Sequence, residues 1–340
     1  MIEVKSAPPD SIVLRARRHA LCAEFSRNLQ ERCGWKAGEK LLIGLSGGAD
    51  STALLLLAAV LAQRDKKTCE INAVYVHHHL RSEADREVTH CANLCARLGI
   101  AFSAVDVHPT HGKSGLAADA RRLRHAALAA SAVESDLNWI LLAHHSDDVL
   151  ETLLMRIGRG AGNRGLTTIP WVRRSAPKSS IQVARPLLSF SRSQIEEFCR
   201  HCEVSWCHDV SNSNIKSARG LLRDQIVPTL RERWPGIAQH ALHASEAARS
   251  GEWALKQIAM MDGWTHSEIP RKLLKSRGPE LSAALLASAL RQRSISISLP
   301  MIRQVVDAAC DRTLRPRMFH EKGVTLSLTA RMLRISQATV

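Results

Sequence analysis

Apolar and polar positions alternate along the first half of the chain with the periods of strands and helices. Residues 40–46 (KLLIGLS) form an apolar run with the length of a buried parallel strand. Residues 51–64 (STALLLLAAVLAQR) are too long and too rich in Ala and Leu for a strand, and predict a helix. The pairing recurs, with strands at 71–76, 101–107 and 139–145 and helices from near Ser82, over about 116–132 and from near Ser146. This repetition predicts an α/β fold with a doubly wound parallel sheet.

The pattern changes after residue 165. A basic loop precedes a strand-like segment at 181–188 (IQVARPLL) and a helix at 191–204. Helical spacing then runs from about Gly220 to Trp253, with a break at Trp234-Pro235-Gly236. Towards the end of the chain, alternation predicts strands in 293–298 (RSISIS) and 323–336 (GVTLSLTARMLRIS), with a helix at 299–309 between them.

These elements predict the domain organisation. A chain of 340 residues is long enough for about two domains. The regions that we expect are an N-terminal extension, 1–37; the doubly wound domain, 38–219; a helical linker, 220–250; and a smaller α+β domain, 251–340.

Charge and cysteine content narrow the class of protein. Lys and Arg total 47 against 32 Asp and Glu, a net charge of +15, which favours a polyanionic partner such as nucleic acid over a merely basic surface. Nine cysteines, an odd number, argue against a disulfide framework and fit a reducing compartment. No signal-like segment and no apolar stretch of about 18 residues is found, so we expect a cytoplasmic protein without membrane association.

The junction at residues 46–51 (SGGADS) carries the strongest chemical signal. A Gly-Gly turn between strand and helix lets backbone N–H groups approach an anion, and the helix N-terminus adds a favourable dipole. Ser46 and Ser51 can donate to phosphate oxygens, and Asp50 can hold Mg²⁺ bridging those phosphates. The stretch lacks the Gly-Lys-Ser/Thr ending of a Walker loop and is not GxGxxG. We therefore predict a phosphate-binding loop made of Ser46, Gly47, Gly48, Ala49, Asp50 and Ser51.

SGGADS resembles the SGGxDS loop of the N-type ATP pyrophosphatases, the PP-loop superfamily with an adenine nucleotide alpha hydrolase-like fold. Further motifs resemble the tRNA(Ile)-lysidine synthetase family in order and spacing, strongly over about residues 38–235. They are VHHHLRSEADRE (76–87), AADARRLRHAAL (117–128), AHHSDDVLETLLMRIGRGAGNRGL (143–166), ARPLL (184–188) and HDVSNSNIKSARGLLRDQIVPTL (208–230).

The resemblance implies an ATP-dependent carbon–nitrogen ligase. Such an enzyme joins L-lysine to C2 of the wobble cytidine of tRNA(Ile) with a CAU anticodon, through an adenylated base. It implies ATP and Mg²⁺ at the loop and a tRNA-binding C-terminal domain, and leaves open whether the chain forms a homodimer. Two alternatives remain: another PP-loop tRNA-modifying enzyme, such as a 2-thiocytidine synthetase, or an inactive nucleic-acid-binding relative.

Acidic residues cluster after the strand predicted at 139–145. Asp147, Asp148 and Glu151 fall in the first turn of the next helix, where they can face a cleft or merely balance the helix dipole. A separate metal hydrolase site would need a further His-Asp constellation, which the spacing does not offer. The resemblance assigns catalytic or substrate-positioning roles to His144, Asp148 and Glu151.

Arginine pairs offer fixed cations for a polyphosphate or a nucleotide. Arg121 and Arg124 lie one helical turn apart, and so do Arg219 and Arg223. Each pair can equally belong to a solvated basic face. The resemblance favours Arg124 and Arg219, which complete the candidate catalytic set with Asp50.

Two other groups suggest metal sites. Cys199 and Cys202 form a CxxC, but their helical position favours buried, inert thiols. The run His77-His78-His79 suggests zinc, yet adjacent strand residues point to opposite faces, which favours a plain strand end near the pocket.

The chain departs from the family pattern at three positions. It has His78-His79-Leu80-Arg81 in place of His-Gly-Leu-Arg, Arg124-His125 in place of Arg-Tyr, and Arg219-Gly220 in place of Arg-Asn. None of these changes removes a charged group from the expected chemistry.

Overall fold

The computed structural model describes residues 9–64, 69–110, 115–207 and 217–337. The chain divides into two compact units, residues 1–245 and 246–340. Part of one motif, residues 208–216, lies outside the described residues. Within the described ranges, no helix combines the length and apolarity needed to cross a membrane.

The first unit begins with α1 (Pro9–Arg18), α2 (Ala20–Arg27) and a π-helical turn (Asn28–Arg32). The strand–helix units follow as β1 (Leu41–Leu45), α3 (Ala49–Arg64), β2 (Ile71–His77), α4 (Ala84–Leu98), β3 (Ala101–Asp106), α5 (Leu116–Glu134), β4 (Trp139–Leu141) and α6 (Ser146–Ile157). Then come α7 (Asn163–Leu166), β5 (Val172–Arg174), β6 (Gln182–Ala184), α8 (Arg192–His201), α9 (Ala218–Leu221), a second π-helical turn (Leu222–Ile226), α10 (Val227–Arg233) and α11 (Ile237–Met261).

The strands of the first unit form one six-stranded sheet in the order β3-β2-β1-β4-β6-β5. All neighbours are parallel except β5, which runs antiparallel to β6 at the edge. The predicted doubly wound parallel sheet is confirmed.

Helices cover both faces of the sheet because successive side chains of the buried strands point to opposite sides. Leu41, Ile43 and Leu45 of β1 face a core that includes α1, α2, α3 and α8. Leu42 points the other way, into a smaller core that includes Leu128 of α5. The N-terminal helices therefore share the main core of the first unit.

Strand order places two polar junctions side by side. β1 pairs in register with β4, so that Ile43 lies opposite Leu141. The loop after β1 and the loop after β4 therefore leave the same carboxyl edge of the sheet as neighbours. In an α/β sheet this edge is the ordinary place for a ligand site.

The second unit combines an antiparallel sheet with helices. Its sheet has the order β7-β10-β9-β8, and its core includes the fully buried Trp264. The elements are β7 (Glu268–Pro270), α12 (Arg271–Ser276), α13 (Pro279–Gln292), α14 (Leu299–Cys310), β8 (Arg317–Glu321), β9 (Val324–Leu328) and β10 (Met332–Gln337). The predicted α+β character is confirmed.

The strand predicted at 293–298 is wrong, because these residues connect α13 to α14. Ile295 is buried in the connection, and Ser298 is the N-cap of α14, accepting a hydrogen bond from the backbone N–H of Met301. The buried Ile295 and the capping Ser298 thus produce the same alternation of apolar and polar residues as a strand. The segment 323–336 does contain two strands, β9 and β10.

Arg271 holds the second unit together from inside. Its side chain is only 2 % exposed. The guanidinium donates to the backbone carbonyl oxygens of Ala308, Ala309, Asp311 and Thr329. It thereby satisfies acceptors at the C-terminal end of α14 that the helix itself cannot satisfy.

We expect Arg271→Met to destabilise the second unit. The substitution keeps much of the buried apolar stem but leaves several carbonyl groups without a donor, at a cost of about 3 kcal/mol. The free energy of unfolding from a urea titration measures this. Arg303→Met is the matched control, because Arg303 is exposed and forms an ion pair with exposed Glu280. Equal stability of the two variants would contradict the role of Arg271.

Candidate active site

The loop after β1 has the backbone that a phosphate-binding turn needs. Gly47 has a φ of +77°, a conformation that side chains disfavour. A Cβ at this position would also lie 3.3 Å from the Sγ of Cys207 and 3.4 Å from the Sγ of Cys91. Conformation thus favours glycine here, and the two sulfur atoms leave little room for a side chain.

Hydroxyl groups fix the rest of the loop. The backbone N–H of Ser46 donates to Ser51 Oγ at 3.1 Å, and Ser51 Oγ donates to the carbonyl oxygen of Gly48 at 3.1 Å. In the described part of the chain, a Cβ added at Gly48 would have Ser46 Oγ as its one neighbour within 4 Å, at 3.9 Å. Ser51 closes the loop on itself, and the described residues leave space over Gly48.

Asp50 in the first turn of α3 has a carboxylate oxygen available for a cation. Its Oδ1 is buried and has no hydrogen-bond partner among the described residues. Its Oδ2 lies 3.6 Å from His145 Nε2. Oxygen ligands of this kind suit Mg²⁺, so the donor set fits an ion that bridges phosphates.

The junction after β4 presents His145 to three carboxylates. His145 is the N-cap of α6, and its backbone N–H donates to Asp148 Oδ2 at 3.1 Å. Its ring nitrogens lie 3.4 Å from an oxygen of Asp147 and 3.6 Å from oxygens of both Asp50 and Asp148. Burial works to lower the pKa of His145, but the carboxylates of Asp148 and Asp50 raise it above its ordinary value.

Two arginines surround the remaining acids of α6. Arg219 donates through Nε to Glu151 and through Nη2 to Asp148, at 2.8 Å in each case. Arg223 donates through Nε to the other oxygen of Glu151 at 3.0 Å. Burial works to raise the pKa of Asp148, but the charges of His145 and Arg219 hold it well below the usual range. Asp148 is therefore an anion at neutral pH.

Asp147 has a different role from its neighbours. It accepts a hydrogen bond from the backbone N–H of Arg192 at 2.8 Å and forms an ion pair with Arg231. Its contacts tie α6 to α8 and α10. Asp147 thus stabilises the unit, whereas Asp148 and Glu151 lie with the candidate catalytic residues.

Helix α5 contributes Arg121 and Arg124, which form a positively charged wall of the site. Arg124 Nε is buried without a hydrogen-bond partner in the part of the chain that is described. Burial, followed by the charge of Arg121, lowers the pKa of Arg124. A guanidinium held in this way, without a carboxylate at hydrogen-bond distance from Nε, can receive an anionic ligand.

Two histidines beside this wall are neutral. Burial lowers the pKa of His144 to about 3, although the Asp148 carboxylate opposes the shift. Burial and then the charge of Arg124 lower the pKa of His125 to about 3. Arg173 donates to His125 Nδ1 at 3.3 Å, which requires that nitrogen to be deprotonated. Neither ring carries a charge at neutral pH.

The residues predicted from sequence meet at one edge of the sheet. Asp148 lies at the centre: it bonds Arg219 and interacts electrostatically with His144 and Arg124. Asp50 joins the set through His145, and Glu151 joins it through Arg219. The roles assigned to these residues remain predictions.

Sequence reasoning missed His145, and it favoured Arg219 over Arg223 although both contact Glu151. The N-cap position of His145, directly before two acids in a first turn, is a signal that could have found it. Arg223 lies four residues after Arg219, on the same side of the turn, which could have indicated a shared partner.

The CxxC cysteines are buried, as expected. Cys199 and Cys202 are both inaccessible to solvent. Burial raises the pKa of both thiols, that of Cys202 to about 12. Both are protonated at neutral pH and are poor nucleophiles.

Comparison with known proteins identifies close sequence relatives. The tRNA(Ile)-lysidine synthase of Pseudomonas syringae pv. tomato is 39% identical over 241 residues, which are 70% of this chain and 52% of that protein. The tRNA(Ile)-lysidine synthase of Pseudomonas fluorescens is 36% identical over 273 residues, 79% of this chain and 60% of that protein. The chain thus spans between half and two thirds of the length of these relatives. The resemblance inferred from the motifs is confirmed.

A solved structure and a family model agree on the fold. The U34-tRNA thiolase NcsA from Methanococcus maripaludis superposes with a TM-score of 0.56 at 18% identity, covering 68% of this chain and 80% of that one. At this identity the likeness concerns the fold alone. Residues 21–230 match the model of the PP-loop domain, a stretch that includes the loop at Gly47 and every candidate catalytic residue. The chain belongs to the PP-loop domain family.

Proposed function

We propose that this chain attaches lysine to C2 of the wobble cytidine of a tRNA(Ile) with a CAU anticodon, using ATP. The observation that carries the proposal is the joining of Asp148 and Glu151 by Arg219 next to the loop that bears Asp50. It puts anionic groups for a lysine ammonium beside a site for a polyphosphate. Similarity to tRNA(Ile)-lysidine synthases supports the choice of substrates.

ATP belongs at the loop after β1. Membership of the PP-loop family supports ATP as a substrate. Backbone N–H groups around Gly48 and the N-terminus of α3 would hold its phosphates. Mg²⁺, held by Asp50 through Oδ1, which has no hydrogen-bond partner in the described ranges, would neutralise phosphate charge during the transfer.

The first step makes the base electrophilic. The O2 oxygen of the cytidine attacks the α-phosphorus of ATP, an O–P bond forms, the bond to the β-phosphate oxygen breaks and pyrophosphate leaves. Negative charge increases on the departing pyrophosphate. Arg124 is the cation of the α5 wall best placed to stabilise it, because its Nε has no protein hydrogen-bond partner among the described residues.

In the second step the lysine ε-amine attacks C2, a C–N bond forms and AMP leaves with the former O2 oxygen. The amine must first lose a proton from its ammonium form. Asp148 is held as an anion and orients the ammonium, and Glu151 is the neighbouring carboxylate that can take up the proton. His144 is neutral and contributes through hydrogen bonds rather than charge.

The tRNA is recognised through its phosphate backbone. The net charge of +15 suits this contact. We assign the tRNA body to residues 251–340, with Arg331 and Arg334 of the second unit as contacts, and we place the protein in the cytoplasm, where its substrates are. A homodimer remains a prediction.

Pyrophosphate release from ATP, together with incorporation of radiolabelled lysine, tests the proposal. We expect both to require unmodified tRNA(Ile) with a CAU anticodon, and incorporation to disappear when the wobble cytidine is replaced. Release that depends on tRNA but incorporates no lysine would indicate a PP-loop enzyme with another nucleophile. Absence of release would indicate a binding protein.

The same assay with Glu151→Gln tests the carboxylate pair. Loss of the negative charge should lower the rate of lysine incorporation by about 10²–10⁴-fold, the usual range for a group that transfers a proton. Glu134→Gln makes the same chemical change on an exposed side chain at the C-terminal end of α5, and should have no effect. Incorporation by Glu151→Gln at nearly the normal rate would reject the role of Glu151.

Gly47→Ala should weaken ATP binding about tenfold or more. The φ of +77° is strained for alanine, and its Cβ would press on the sulfur atoms of Cys207 and Cys91; a strain of about 1–2 kcal/mol corresponds to roughly this factor. Calorimetric titration with ATP measures the affinity. Gly158→Ala is the control, because Gly158 has an ordinary helical φ of −61°. Unchanged affinity in both variants would show that the loop does not bind ATP.

His125→Tyr should make the protein less sensitive to acid. The folded-state pKa of about 3 lies below the ordinary value, so the neutral ring stabilises the fold above about pH 6.5. That contribution is lost as the pH falls from about 6.5 towards 3, and tyrosine has no charge to gain there. Urea midpoints at several pH values between about 7 and 4 measure the slope, with His243→Tyr on an exposed position as control. Parallel slopes for wild type and His125→Tyr would contradict this assignment.

A further inference from the structure

A second group of metal-binding side chains lies at the ends of β2 and β3. His77 is the last residue of β2, Asp106 is the last residue of β3, and the two are partners in the parallel register. His79 follows two residues after His77. His79 lies in the turn that follows β2, and this turn brings its ring beside that of His77.

The three side chains contact one another. His79 Nε2 lies 2.8 Å from Asp106 Oδ1, and the rings of His77 and His79 have centroids 4.0 Å apart. One donor atom from each of His77, His79 and Asp106 can be chosen so that all lie within 4.8 Å of one another. Small movements of exposed His79 and Asp106 would bring all three to the 2.0–2.2 Å that zinc ligands require.

His77 has a buried nitrogen that no hydrogen bond satisfies. The side chain is 7% exposed, and Nε2 has no hydrogen-bond partner among the described residues. A carboxylate oxygen of the exposed Asp85 lies 3.3 Å from this nitrogen. A buried imidazole nitrogen without a partner is costly unless a ligand uses it.

The backbone of His79 gives independent support. Its φ is +52°, a left-handed conformation that is uncommon for residues other than glycine. The imidazole is held there between Asp106 and His108, whose ring stacks on it at 4.8 Å. The turn therefore places an imidazole where the backbone alone would favour glycine.

We propose that His77, His79 and Asp106 bind one divalent transition-metal ion of the zinc class. Two imidazoles and one carboxylate suit Zn²⁺ and its borderline neighbours, whereas Mg²⁺ and Ca²⁺ prefer oxygen ligands. Asp85 and water are available for the remaining coordination positions. The ion would join the ends of β2 and β3 and fix the turn that leads to Arg81.

Coordination has a cost in hydrogen bonding. His77 Nδ1 now accepts from the backbone N–H of His79 at 3.2 Å, so a neutral ring carries its proton on Nε2. Binding through Nε2 moves that proton to Nδ1 and breaks this contact. The 2.8 Å contact between His79 and Asp106 is likewise replaced by bonds to the metal.

Binding of Zn²⁺ to untagged full-length protein, in competition with a chromophoric chelator, tests the proposal. We expect one ion per chain and an affinity at least about tenfold weaker in both His79→Gly and Asp106→Asn, because even loss of a residue that only supports a ligand costs that much. His79→Gly removes the ligand at a position that glycine fits, so misfolding is not expected.

Two control variants separate this site from others. His243→Ala removes an exposed histidine elsewhere, and Asp148→Asn changes the active-site cluster; both should keep the wild-type affinity. Co²⁺ bound in place of Zn²⁺ should show d–d absorption without thiolate charge-transfer bands. Absence of stoichiometric binding, equal affinity in His79→Gly and Asp106→Asn, or a thiolate spectrum would each overturn the proposal.

Discussion

The charge balance around Asp148 and Glu151 is the constraint on which the first unit depends. Glu151 is only 2% exposed, and an unpaired carboxylate so deeply buried would be strongly destabilising. Arg219 and Arg223 neutralise these acids, and a ring nitrogen of His145 lies 3.6 Å from an oxygen of Asp148. Arg219 lies in α9 and Arg223 in the π-helical turn after it. Their bonds to Glu151 therefore hold both elements against α6, at the site.

The same cluster divides the site into two electrostatic regions. Asp50, Asp148 and Glu151 form an acidic centre that is partly neutralised by its partners. The wall on α5 is positively charged. This charge is seen at His125, whose pKa is lowered by burial and by neighbouring guanidinium groups. In the proposed reaction the wall faces the anions, ATP and the tRNA backbone, and the acidic centre faces the lysine ammonium. One compact site would thus accommodate the proposed substrates of opposite charge.

The sequence predicted those parts of the molecule that depend on local patterns. The four leading strands, the start of α6 at Ser146 and the break at Trp234-Pro235-Gly236 all follow from apolar runs, caps and breakers. The strand at 293–298 failed because Ile295 and Ser298 follow a strand-like pattern for unrelated reasons. Alternation of apolar and polar residues indicates which side chains are buried. A segment forms a strand only when its backbone also pairs with a neighbouring strand.

Contacts between distant segments could not be predicted in this way. The pairing of Arg223 with Glu151 and of Arg231 with Asp147 joins residues more than 70 positions apart. Alternation along one strand disfavours a metal site at His77–His79. It could not include Asp106, which the parallel register of β2 and β3 brings opposite His77.

Several polar groups of the site lower the stability of the fold, and the packing of the apolar core compensates for this loss. The neutral histidines, Arg124 and Asp50 each carry a buried polar atom without a hydrogen-bond partner among the described residues, which is unfavourable. They are held in place by an apolar scaffold in which α3 is buried on nearly all sides and packs with α1, α2 and α8. Because these groups are already oriented and desolvated, a ligand of matching charge does not have to reorganise them. The apolar α3 and the polar loop before it therefore depend on each other. The packing energy of the helix keeps the charged groups of the site in a fixed arrangement.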